Sequence, residues 1–153
     1  MSNDKALFLV LDLRKKDEDK ALQMWADAKN AVFNFQKQIE QLIAFEHMYQ
    51  QELENKSKNS LDMQTYMAYQ EFMQKLENIK LRQEQGLIEL QAQEQRAKDN
   101  YLQKQQQRKI IESLIEKHKK ARLLKEAKAL QKLTDELVSS KQARILIEKN
   151  LKN

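Results

Sequence analysis

NKSKNSLD, residues 55–62, is the stretch on which the reading of this chain turns. It is polar, its Asn and Ser favour turns and helix caps, and Asp62 is placed to open the helix that follows. Apolar residues recur at helical spacing on both sides of it. The natural reading is a hairpin turn about residue 58, which sets position i opposite position 116 minus i, give or take about one residue.

Upstream, Leu7, Leu11, Arg14, Glu18, Ala21, Trp25, Ala28, Val32, Phe35, Ile39, Leu42, Glu46, Tyr49 and Leu53 follow unbroken alternating steps of four and three. That rhythm keeps one face of a helix turned toward a partner helix and predicts a coiled-coil helix of about seven heptads. Downstream, Tyr66, Tyr69, Met73 and Leu76 open a seam of the same kind near the turn. The segment 91–109 offers only Ala92, Ala97, Tyr101 and Leu102, so the pairing is expected to be weakest there. Gly86 falls just ahead of this weaker stretch; it is either a joint, a close approach to the alanines near Ala28 and Ala31, or simply tolerated at about 1 kcal/mol against Ala. The partner of the second helix is expected to run out near residue 113. A patterned overhang (Leu123, Ala127, Leu130, Thr134, Leu137) follows, and Ser139 with Gln142 resembles a capping box that would break the helix before a short piece at 143–151.

The expected fold is therefore all-α: a long antiparallel two-helix coiled coil with a longer second helix and a C-terminal helical tail. Its parts are a first helix over 4–55, a turn over 56–60, a second helix over 61–139 and a short helix or flexible tail over 140–153, together one coiled-coil unit.

Composition agrees with helices and removes several functions. The 153 residues contain no Pro and one Gly, 7% aromatic and 33% charged residues, which suits long helices better than a looped globular core. With no Cys there are no disulfides or thiolate metal sites. The two histidines, His47 and His118, stand in no metal-ligand or catalytic spacing, and no glycine-rich phosphate loop is present. Neither an enzyme activity nor a metal or other cofactor is expected. ALFLVL, residues 6–11, is too short to span a bilayer, so no transmembrane segment is expected.

Beside the inner seam the two helices carry a second one. Gln38, Leu42, Phe45 and Tyr49 on the first helix match Tyr69, Phe72, Leu76, Ile79 and Gln83 on the second. A two-helix hairpin buries only the inner seams, so Gln38, Phe45, Phe72, Ile79 and Gln83, margined by Leu42, Tyr49 and Leu76, are left as an apolar strip with a polar rim. Such a strip marks a protein contact unless a second copy or the C-terminal tail covers it.

Charge is also concentrated. Residues 104–128 hold nine basic residues (Lys104, Arg108, Lys109, Lys117, Lys119, Lys120, Arg122, Lys125, Lys128) against Glu112, Glu116 and Glu126, a net of +6 in a chain of net +5. A stripe like this suits an acidic protein surface, or nucleic acid or acidic membrane lipid bound without sequence specificity. Base-stacking aromatics are lacking beyond Tyr101, so nucleic acid is not the expected partner.

QIEQLIAFEHMYQQEL (38–53), a polar turn, and YMAYQEFMQKLENIKLRQEQ (66–85) resemble the middle of the FliJ family, small components of the flagellar type III export apparatus with counterparts in virulence injectisomes. The resemblance implies an antiparallel coiled-coil stalk, similar to the central shaft of rotary ATPases, that binds and stimulates the hexameric export ATPase. It also implies contact with the cytoplasmic part of the export-gate membrane protein FlhA, escort of export chaperones, and a cytoplasmic location at the inner-membrane apparatus. Carried onto this sequence, the gate-binding face is Gln38, Leu42, Phe45, Tyr49, Phe72, Leu76, Ile79 and Gln83. The ATPase-binding region is the open end of the hairpin, with Leu7, Leu11, Lys117, Lys120, Arg122 and Lys125.

Overall fold

A computed structural model describes residues 2–59 and 61–152. Among them the chain forms two α-helices that pack against each other and no strand: α1, Ser2–Ser57, and α2, Met63–Leu151. Its contacts divide it into two units, Lys15–Gln106 and Met1–Arg14 with Gln107–Asn153.

The first unit contains the turn. α1 closes with Lys58 N donating to the Glu54 carbonyl at 3.3 Å and Asn59 N to that of Lys56 at 3.2 Å, a tightened last turn that satisfies otherwise orphaned carbonyls. The Ser57 hydroxyl adds a bond to the Leu53 carbonyl at 2.9 Å. α2 opens with Tyr66 N donating to the Asp62 carbonyl at 2.9 Å, so Asp62 occupies the cap position and not the first helical turn. The expected start of the second helix, Leu61, precedes a helix that begins at Met63, and Ser60 of the expected turn lies outside the described residues.

Between Lys15 and Gln106 the helices are antiparallel, and every upstream seam position from Glu18 to Leu53 is buried or half-buried. The opposing seam on α2 runs Tyr69, Met73, Leu76, Lys80, Gln83, Leu87, Leu90, Glu94, Ala97 and Tyr101, again in steps of four and three. Ala21, Val32, Ile39 and Leu53 on α1 and Leu76 on α2 are the most deeply buried side chains of the pair. Two corrections follow. Tyr66, expected in the inner seam, is exposed, its hydroxyl accepting from Gln70 Nε2 at 3.1 Å. The register is also later than expected: contacting positions such as Phe35 with Gly86, and Tyr49 with Phe72, add to 121 and not to 116. The physical reason is the turn, which takes up the residues between Ser57 and Met63 and moves the fold-back point from residue 58 to about residue 60.

Two contacts strengthen the stretch expected to be weak. The Trp25 ring lies 5.5 Å from that of Tyr101, with Lys29 Nζ 3.8 Å above the indole. Gly86 is a close approach, but to an aromatic ring: a Cβ built there would lie 2.9 Å from Phe35 Cζ. The glycine is therefore a hole for the Phe35 ring. Gly86→Leu is expected to destabilise the hairpin by about 2 kcal/mol through overpacking. In Gly86→Leu with Phe35→Ala the loss should fall well short of the sum of the single losses, as measured by urea unfolding in a double-mutant cycle.

In the other unit, Asp4 on α1 is 3.1 Å from Arg122 Nη1 and 3.6 Å from His118 Nδ1 on α2. The later register carries the pairing past residue 113, so the overhang begins after Arg122. From Ala121 to Lys152 every side chain is exposed. The expected break at Ser139 is absent, since α2 runs through it to Leu151. The Ser139–Gln142 pattern has no Pro or Gly to enforce a stop, and Ser and Gln both fit within a helix at small cost.

A candidate docking face beside the turn

Helical geometry places Gln38, Leu42, Phe45 and Tyr49 along one edge of α1, and Phe72, Leu76, Ile79 and Gln83 along one edge of α2. The observed register sets the two edges opposite each other: Gln38 with Gln83, Leu42 with Ile79, Phe45 with Leu76 and Tyr49 with Phe72 all add to 121, like the Phe35 and Gly86 contact beside them.

Tyr49 is the centre of this face. Its ring lies 4.6 Å from Phe72, 5.0 Å from Tyr69 and 6.0 Å from Phe45, all tilted, which joins both helices through one aromatic cluster. Exposure divides the eight residues. Phe45 is 41%, Phe72 36% and Ile79 44% exposed, and Gln38 is exposed beside them. Leu42, Tyr49 and Gln83 are half-buried, and Leu76, at 6%, belongs to the core. Within the unit Lys15–Gln106 no described segment covers the strip.

A polar rim borders the strip. Lys56 Nζ donates to Tyr69 Oη at 2.8 Å, and this bond holds the ammonium above its ordinary pKa. Lys80 Nζ lies 3.0 Å from Glu77 and 3.6 Å from Glu46 across the pair; the hydrogen bond to Glu77, ahead of the field of Glu46, raises its pKa. Both lysines thus keep their charge throughout the neutral range. Gln83 Oε1 is buried without a hydrogen-bond partner, an acceptor at the margin of the strip. This arrangement presents flat aromatic surface framed by fixed charges, which suits recognition of another protein; it offers no enclosed cavity for a substrate.

The structure spreads the residues of the second proposed region differently. Leu7 and Leu11 are half-buried against α2, and Lys117, Lys120 and Lys125 are exposed. Arg122 is engaged by Asp4, and Arg108 by Glu112 at 2.8 Å, so part of the basic stripe is neutralised within the chain. The Asp4 partnership had no signal in the seam pattern, because it depends on a register the turn alone decides. Among the described residues no helix is long and apolar enough to cross a membrane.

A family model described as "Flagellar FliJ protein" matches residues 3–144. No curated protein and no solved structure matches the chain.

Proposed function

The chain belongs to the FliJ family, a group of flagellar export components, and from that footing we propose that it is a non-enzymatic stalk and adaptor of the type III export apparatus. In this reading it binds and stimulates the hexameric export ATPase and links it to the cytoplasmic part of the export-gate protein FlhA. Export chaperones are further partners, and the protein works in the cytoplasm, peripherally at the inner-membrane apparatus.

The observation that carries the gate contact is the uncovered strip of Phe45, Phe72 and Ile79 around the half-buried Tyr49. Exposed aromatics backed by a rigid helix pair lose little side-chain freedom on docking, and they are the residue types that carry most binding energy at interfaces. Leu76, buried beneath them, would support the face without reaching a partner. For the ATPase contact the supporting feature is the exposed basic segment of Lys117, Lys120 and Lys125.

The test is ATP hydrolysis by the export ATPase of the source organism, titrated with this protein. Saturable stimulation is expected. Lys117→Glu, Lys120→Glu and Lys125→Glu together should raise the half-saturating concentration about tenfold or more, since charge reversal at an electrostatic contact slows association. Absence of stimulation with a competent ATPase would direct attention to the basic stripe as a polyanion-binding surface.

A further inference from the structure

The exposed C-terminal stretch of α2 carries a face that none of these contacts uses. Leu123, Glu126, Leu130, Leu133, Leu137, Ser140, Arg144, Ile147 and Leu151 follow steps of three and four along a continuous helix, and every one of them is exposed. From Leu123 to Ile147 they span about three and a half heptads, roughly 37 Å, a length at which such seams pair stably. The interruptions are three: Glu126, Ser140 and Arg144.

We propose that this face is a self-association surface, pairing with the same segment of a second copy in antiparallel orientation. When the segment is laid against itself with Leu133 facing the second copy's Leu137, every layer from Leu123 to Ile147 follows the pairing that antiparallel coiled coils use, and Leu151 lies beyond the paired seam. Leu123 then faces Ile147, Leu130 faces Ser140, and Glu126 faces Arg144. The only two charged positions of the seam are thereby set against each other, twice by symmetry, with opposite sign. A parallel pair would instead stack Glu126 on Glu126 and Arg144 on Arg144. At the flanking positions Ala129 faces Ala143 and Thr134 faces its own copy, small side chains that let the helices approach, while Ala127 faces Lys141 and Glu136 meets Glu136 of the second copy at the two-fold axis. This inference does not depend on the ATPase or gate contacts.

Sedimentation equilibrium of the full chain at micromolar concentrations is expected to show a monomer–dimer equilibrium. Leu130→Asp with Leu137→Asp, both at exposed positions, should give a monomer with unchanged helix content. Glu126→Arg and Arg144→Glu should each weaken the dimer about tenfold, and the double exchange should restore it. Because the chain has no cysteine of its own, a mixture of Leu123→Cys and Ile147→Cys proteins should cross-link on oxidation more readily than either alone. A monomer at all concentrations, a double exchange no better than the singles, or preferential Leu123→Cys self-cross-linking would overturn the proposal.

Discussion

Phe45→Ala with Phe72→Ala is expected to reduce the affinity for the cytoplasmic part of the export gate by about a thousandfold. Each ring sits at the centre of an apolar strip, and truncating a central aromatic at an interface costs about 2 kcal/mol or more, so two together remove about 4 kcal/mol, or three decades. The hairpin should survive, because both rings are more than a third exposed and the inner seam of Tyr69, Met73 and Leu76 stays intact. Tyr49 keeps its contact with Tyr69, at 5.0 Å, when Phe45 and Phe72 are gone. Isothermal titration of the variant against the gate fragment, with circular dichroism of the same sample, separates the two effects. Loss of helix content in step with loss of binding would show that the rings belong to the fold.

Leu76→Ala should do the reverse. At 6% exposure Leu76 is among the most deeply buried side chains of the pair, and leucine truncation in a packed core removes about 3 kcal/mol through lost transfer energy and the cavity left behind. A two-helix core is thin, so little neighbouring packing is available to share the loss. Urea unfolding should therefore show a midpoint far below that of the parent chain, while the affinity of the fraction still folded changes by less than tenfold. A variant as stable as the parent that no longer docks would place Leu76 on the contact surface.

This contrast between Phe72 and Leu76 also shows what the sequence could and could not disclose. Two three-and-four lines cross at Leu76 on α2, and spacing alone assigns it equally to the inner seam and to the strip; only the rotation of the packed helix decides. The long α1 seam was legible because its steps never break from Leu7 to Leu53, and a helix has one way to present such a row. Phe45, Phe72 and Ile79 were legible as exposed because a helix pair cannot bury two seams on each member. Register was not, since polar residues 55–62 are compatible with turns of several lengths and each extra residue moves every facing pair. The hole at Gly86 follows from that register: at the expected pairing Phe35 faces residue 81, and at the observed one it meets the glycine. Ser139 shows the limit from the other side, as a cap pattern without Pro or Gly permits a helix end but does not require one.

The central claim, docking of the aromatic strip on the export gate, is tested most directly by measuring the affinity of the full chain for the cytoplasmic part of FlhA across a range of salt concentrations. Contact through Phe45, Tyr49, Phe72 and Ile79 predicts saturable binding whose affinity is nearly independent of salt, because apolar burial is not screened. No binding, or an affinity that falls steeply and linearly with the logarithm of salt concentration, would contradict it and point to the basic stripe as the working surface.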